Sequence, residues 1–261
     1  MKNHNFIKTE LTKFLKDIEL EYFESIGSTN DYLLDKVFTH KYHLCYAGEQ
    51  TKARGRRGNK WLASSHENIY ATIGFRCDFS ANQTALASLK IALGVAEGLK
   101  KLIPVELQQN LKIKLPNDIY YNGKKLAGIL IETKNIKKDS FDVVIGVGVN
   151  VNMTALGESI NREWTSLAII NEKPVDYAKA LVNVFSYIVR NIDLNQGLAL
   201  EKFGNYDYLL NQKISFNYSS ERVVGIARGI SKDLKLLVDI NGLVQQQEFD
   251  IANINTVRLA G

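Results

Sequence analysis

The sequence predicts an α+β protein: a mixed β-sheet with flanking helices over residues 1–210, followed by a small β unit over 211–261. Three observations lead there. Apolar residues alternate with period two in several runs, among them Ile69, Ala71, Ile73, Phe75 and Cys77. Others carry a wide apolar helical face, as Leu86, Leu89, Ile91, Leu93, Val95 and Leu99 do. Beyond residue 210 the texture changes to short alternating runs punctuated by turn residues, the pattern of a small barrel or sandwich. A chain of 261 residues can bury a core in one large and one small domain.

Ile7, Leu11, Phe14, Leu15 and Ile18 recur at helical spacing and predict an opening amphipathic helix. Residues 20–26 read as a strand, after which Ser28-Thr29-Asn30-Asp31 opens a helix with Ser28 or Thr29 as its cap. Further strands are expected over 43–49 and 69–77, and a long helix over 83–102. Asn122-Gly123 sits between Ile119-Tyr120-Tyr121 and the apolar run 126–131, a type I′ hairpin signal that places Lys125 at the root of a strand. Residues 143–151 form a strand with valines at 147, 149 and 151 on one face and Gly146, Gly148 and Asn150 on the other. Such a glycine face leaves a trough that admits a planar bicyclic ring, with a β-bulge as the alternative meaning of the glycines. Helices follow over 174–190 and 198–210, then strands over 213–218, 222–228, 234–240 and 243–249, with Asn241-Gly242 as a turn and a last strand near 254–259.

Composition narrows the function classes. Hydrophobic content of 45% with 23% charged residues is that of an ordinary globular protein. A net charge of +5 and a pI near 9.0 attract an anionic nucleotide or an acidic protein, yet fall short of a dedicated nucleic-acid binder. Cys45 and Cys77 lie in alternating apolar runs without CxxC spacing and read as buried, reduced thiols. No run approaches the ~20 apolar residues of a membrane span, and Met1-Lys2-Asn3-His4 leads into no signal-peptide core, so a cytoplasmic protein without a membrane partner is expected. His4, His40, His43 and His66 have no metal-site spacing, and neither a GxSxG elbow nor a GK[ST] loop is present. Gly146-Val147-Gly148 lacks the third glycine of a dinucleotide fingerprint.

The densest chemistry lies in Glu49-Gln50-Thr51-Lys52-Ala53-Arg54-Gly55-Arg56-Arg57-Gly58-Asn59-Lys60-Trp61. Gly55 and Gly58 permit unusual backbone angles, and Arg54, Arg56 and Arg57 supply forked donors suited to phosphate or carboxylate. Alone, such a loop could equally grip RNA or DNA. Its companions are Lys114-Leu115-Pro116-Asn117-Asp118, then Gly123-Lys124-Lys125-Leu126-Ala127-Gly128-Ile129-Leu130, then Gly146-Val147-Gly148-Val149-Asn150.

This ordered set, from about Ser28 to the C-terminus, resembles the biotin protein ligases. Their pattern is an Arg-Gly-Arg loop ending in Trp, then Lys-Trp-Pro-Asn-Asp, Lys-Leu-Ala-Gly-Ile-Leu and Gly-x-Gly-x-Asn. Leu115 replaces the second motif's usual Trp, and Ala53 and Asn59 replace a Gly and an Arg flanking the loop. The resemblance implies a monofunctional ligase with ATP and biotin as substrates and biotinyl-5′-AMP as the intermediate. The acceptor would be a biotin carboxyl carrier protein domain of acetyl-CoA carboxylase. It implies an SH3-like β-barrel for 211–261, Mg²⁺ accompanying ATP on unassigned ligands, and a monomer or weak homodimer. Some relatives carry an N-terminal DNA-binding domain; the match starts too early for one, so no sequence-specific DNA partner is expected.

Residue by residue, Arg56 is the candidate for the reacting carboxylate and phosphate, and Lys125 for the charge that accumulates during attack. Asp118 either meets the acceptor amine or caps a turn. Ser28, Thr29, Asn30 and Gln50 offer hydroxyls and amides to a ureido group. Arg54 and the Gly55 backbone contact the ligand as the loop folds over it, while Arg57 and Lys60 are surface charge. Gly128, Gly146, Gly148 and Asn150 shape the ligand strand face, and Trp164 either covers the adenine or packs in the core. The alternatives are a lipoate or octanoate ligase of related fold, and a basic RNA-binding module.

Overall fold

Period-two alternation in the sequence becomes a seven-stranded sheet with two unlike faces. The computed structural model describes residues 2–58, 61, 66–77, 84–155, 163–219, 221–240, 245–254 and 257–260. The strands are β1 (Ile18–Ile26), β2 (Tyr42–Gln50), β3 (Asn68–Cys77), β4 (Leu111–Lys114), β5 (Asp118–Tyr121), β6 (Lys124–Lys134) and β7 (Phe141–Asn150), in spatial order β1-β2-β3-β7-β6-β5-β4. β1 and β2 run parallel and every other pair is antiparallel, so the sheet is mixed, as expected.

One face packs on α1 (Lys2–Thr12), α3 (Thr84–Lys100), α5 (Tyr177–Ile192) and α6 (Gln196–Tyr206). Ile69, Ala71, Ile73 and Phe75 of β3 meet Ile91, Val95, Val184 and Ile188 in that core. The opposite face carries the short helix α2 (Thr29–Asp35), seated by Leu33 against Cys45 and Val144. Ser28 is its cap: the Asp31 N–H donates to Ser28 Oγ at 3.3 Å.

The opening helix departs from the apolar spacing. α1 ends at Thr12 and Ile18 already begins β1; Ile7, Leu11 and Leu15 are fully buried, whereas Phe14 is 43% exposed beneath the Arg190 guanidinium. Two short elements escape the sequence reading, β4 with its four residues and α4 (Leu167–Asn171), which is defined more by the Ser166 cap than by periodicity. Cys45 and Cys77 are buried free thiols, as expected.

A second, five-stranded antiparallel sheet follows, with β8 (Lys213–Tyr218), β9 (Glu221–Ile230), β10 (Lys235–Asp239), β11 (Gln247–Asp250) and β12 (Arg258–Leu259) in the order β11-β10-β9-β8-β12. It encloses its own core of Leu209, Ile214, Phe216, Ala227, Leu236 and Val238. The Asn241-Gly242 turn lies outside the described residues. Between the two sheets, Asp207 bridges to Ile113 and the Tyr208 N–H donates to the Ile113 carbonyl at 3.0 Å, so the connecting segment covers the outer edge of β4.

The closest helix contact is α3 on α5. A Cβ on Gly94 would lie 2.5 Å from Ile188 Cα, and one on Gly98 would lie 2.8 Å from Val184 Cα, both backbone atoms that cannot swing aside. Gly94→Ala should therefore cost about 1–3 kcal/mol through overpacking. Thermal denaturation should show a lowered midpoint; an unchanged one would mean that the two helices separate at little cost.

Candidate functional site

Lys125 reaches the open face because the sheet is irregular beside it. The β5–β6 turn is the expected hairpin, with Asn122 at φ 48° and Gly123 at φ 76°. Ile119 then pairs with Ala127 but Tyr120 pairs with Lys125, so one strand holds an extra residue. Leu126 and Ala127 both lie in the main core as a result. Plain alternation would put Lys125 on the same face as Ala127; the bulge sends it to the face of Gly128 instead, where its Cε lies 3.4 Å from the place a Gly128 Cβ would take. Its Nζ sits 2.7 Å from Asp118 Oδ1 and 5.0 Å from the Trp61 ring centroid. The Lys125 backbone is held as well: its N–H donates to Glu163 O and its carbonyl accepts from Thr165 N. Trp164 forms the bridge alongside it and is half-buried.

The glycine trough exists, and this chain fills it. Gly128 pairs with Gly148 across β6 and β7. A Cβ on Gly128 would lie 2.7 Å from Trp61 Cζ3 and one on Gly148 2.8 Å from Trp61 Cε2, while one on Gly146 would strike Asn30 Oδ1. The planar bicycle in the trough is thus the Trp61 indole. Its Nε1 is buried without a hydrogen-bond partner among the described residues, which costs about 1–3 kcal/mol and favours leaving when a better occupant arrives. Asn150 does not reach into the trough; its amide donates to Thr165 O at 2.9 Å and Lys125 O at 3.4 Å, tying β7 to the Lys125 segment.

Beside the indole lies a polar chain in which most donors and acceptors are fixed. Gln50 Oε1 accepts from Thr29 N at 2.8 Å and Thr29 Oγ1 at 3.1 Å, which orients the amide and leaves its NH₂ for a ligand. Thr72 Oγ1, fully buried, lies 2.8 Å from Thr29 Oγ1 and 2.7 Å from Asn30 Oδ1. Asn30 Nδ2 then donates to Glu132 Oε2 at 2.8 Å, and Glu132 takes Arg54 Nη1 and Nη2 at 2.9 Å each. Asp31 Oδ1 accepts from Arg54 Nε and Nη2 at 3.1 and 2.5 Å. Hydrogen bonds donated to Glu132, then to Asp31, push the Arg54 pKa further up. Thr72 and Glu132 have no place in the motif reading; their one signal was same-face register with Gly146 and Gly128.

Arg56 opens a single 3₁₀ turn, Arg56–Gly58, and is half-buried; Gly58 ends it at φ 74°. The Arg57 side chain, Asn59 and Lys60 lie outside the described residues. Among those residues Glu19, His40 and His43 come within reach of a common ion, a grouping that linear spacing did not suggest. The chemistry opposes a cation there. His43 Nε2 accepts from the backbone N–H groups of Thr39 and His40, so Nδ1 bears the proton and faces Glu19 Oε2 at 2.7 Å, with Lys36 Nζ 3.2 Å from the same oxygen. Burial lowers the His43 pKa.

Residues 22–150 match the model of the biotin/lipoate A/B protein ligase family. The bifunctional ligase/repressor BirA of Escherichia coli is 33% identical over 226 residues, covering 84% of this chain and 69% of that protein. The chain belongs to the biotin/lipoate A/B protein ligase family. The biotin–[acetyl-CoA-carboxylase] ligase of Mycobacterium tuberculosis is 29% identical over 233 residues, 86% of this chain and 84% of its own length. In fold the chain is similar to biotin protein ligase from Aquifex aeolicus, solved in complex with biotin and ATP: TM-score 0.74, 24% identity, 93% of this chain and 99% of that one.

Of this chain's departures from the family pattern, Leu115 is 8% exposed in the main core, the Ala53 carbonyl accepts the backbone N–H of Trp61 at 3.4 Å, and Asn59 lies outside the described residues. Any ligand that lies on Gly128 and Gly148 must displace the indole. In a Trp164→Phe protein, where Trp61 alone remains of the two tryptophans, ligand binding should move emission to longer wavelength and increase iodide quenching. Unchanged emission at saturating ligand would put the trough outside the ligand's path.

Proposed function

We propose that this protein is a biotin protein ligase, which activates biotin with ATP and transfers the biotinyl group to the ε-amine of one lysine on a biotin carboxyl carrier protein domain. The observation that carries the reading is Lys125, turned by a bulge onto the trough face between Asp118 and Trp61, in a chain one-third identical to a curated ligase. In the first step a biotin carboxylate oxygen attacks the α-phosphorus of ATP; the bond to the β-phosphate bridge breaks and pyrophosphate leaves. In the second, the lysine nitrogen attacks the acyl carbon, AMP departs and the amine gives up a proton.

The geometry supports a role for each of these residues. Gln50, with its carbonyl occupied by Thr29, offers N–H to the ureido oxygen, and the Ser28 and Thr29 hydroxyls complete that end. Lys125 and Arg56 offset charge on the carboxylate and phosphoryl oxygens. Asp118, paired with Lys125 before the ligand arrives, is freed when that ammonium turns to the phosphoryl group, and then receives the acceptor amine. The carboxylates nearest the trough already hold cations, Asp118 on Lys125 and Asp31 and Glu132 on Arg54, so Mg²⁺ would enter on the ATP phosphates rather than in a protein cage. The five-stranded C-terminal sheet is read as the SH3-like unit of the family, with the domain boundary near residue 210. We place the activity in the cytoplasm; no helix among the described residues is long and apolar enough to cross a membrane.

Pyrophosphate exchange into ATP, measured with biotin, with lipoate and with no acid, tests the reading: exchange should require biotin, and exchange with lipoate alone would replace the substrate. Lys125→Ala should cut biotin-dependent exchange on the order of 10²- to 10³-fold. Asp118→Asn should slow single-turnover transfer from pre-formed adenylate more than it slows exchange. The reverse ordering would assign Asp118 wholly to adenylation.

A further inference from the structure

We propose that Glu132 and Asp31 are positioning residues: together they form a carboxylate latch that grips Arg54 and fixes the root of the arginine loop against β6 and α2. The inference rests on the ligase reading for its kinetic consequences, though not for its structural one.

Four of the five guanidinium N–H bonds of Arg54 are engaged. Nη1 and Nη2 meet the two oxygens of Glu132, each at 2.9 Å, and Nε and Nη2 meet Asp31 Oδ1. This is two-sided fork recognition, in which planarity fixes direction as well as distance. The side chains of Arg54 and Glu132 are only 31% and 25% exposed, so the pair is partly withdrawn from competing water. With its donors used this way, Arg54 has little left for a phosphate. Its contribution to ligand binding is to hold its own backbone, and that of Gly55 and Arg56 beyond it, at a set height over the trough.

Glu132 is also the far end of the amide relay. It accepts Asn30 Nδ2, and the Asn30 Oδ1 that results faces Thr72 directly over Gly146. One carboxylate thus sets both the loop root and the side chain that closes one end of the trough. A neutral amide at 132 keeps the shape but loses the charge, and its NH₂ would face either Arg54 or Asn30 as donor against donor.

Glu132→Gln should raise the KM for biotin and shorten the lifetime of the enzyme-held adenylate, each on the order of ten-fold, while the ATP KM and the thermal midpoint stay near wild type. Arg54→Gln should do the same from the other side. The double variant should be no worse than the poorer single one, because both remove the same interaction. Amide exchange of residues 51–58 in the ligand-free protein should be faster in Glu132→Gln, a readout independent of any substrate. Unaltered exchange there, or kinetic effects that multiply in the double variant, would overturn the latch. Should Glu132→Gln fail to fold, Asp31→Asn reports on the latch from the exposed first turn of α2 with the same expected directions. Wild-type protein lacking biotin-dependent pyrophosphate exchange would defeat the ligase reading, leaving the exchange measurement to decide the latch alone.

Discussion

A strand offers each side chain one of two faces, and everything at this site depends on how that choice is made along β3, β6 and β7. Ile69, Ala71, Ile73, Val147 and Val149 take the helix side, which obliges Tyr70, Thr72, Gly146 and Gly148 to take the other. Strict alternation would then leave Lys125 among apolar side chains. The inserted residue at Leu126 resolves the conflict by letting two consecutive residues enter the core, after which the strand resumes with Gly128 on the ligand side. The reactive ammonium and the flat floor are therefore placed by a single irregularity in register.

The second organising element is directional. Amides and hydroxyls in water turn freely, but here each is read by two neighbours: Gln50 by two groups of Thr29, Asn30 by Thr72 and Glu132. A ligand meets groups already pointing one way and bears less of the ordering cost. Trp61 contrasts with them, its indole N–H buried without a partner among the described residues, over glycines that offer no side chain to hold it. The structure is rigid where a polar outline must be recognised and weakly held where space must be vacated.

Much of this was legible in the sequence. Alternation located β2, β3 and β7, Asn122-Gly123 fixed the hairpin, and the glycines at 128, 146 and 148 signalled a surface that something planar touches. Other parts were not, for reasons of physics rather than of pattern strength. The bulge follows from the register of β5 against β6, a pairing between strands that neither segment encodes alone. The carboxylate partners of Arg54 were not legible beside it, because Asp31 and Glu132 lie 23 and 78 residues away. Asn150 carries a motif position, yet its amide serves the backbone carbonyls of Lys125 on the neighbouring strand and of Thr165 on the segment that crosses it, a meeting its own strand does not encode. Phe14 continues a helical period past the end of its helix, where Leu15 is buried in the main core and Phe14 is left on the surface.

The two outer strands of the sheet are protected in different ways. Among the described residues no strand pairs with the outer edge of β1, which carries Glu19, Glu21 and Glu24, charges that discourage another strand from adding on. β4 is short, with Lys112 and Lys114 alternating with Leu111 and Ile113, and its edge is covered besides by Asp207 and Tyr208, where the chain leaves for the second sheet. The C-terminal unit thus serves the larger one as a cover as well as a neighbour. Loss of that tail would uncover unpaired backbone groups on β4, and the first fault to appear would be self-association of the sheet rather than damage to the distant trough.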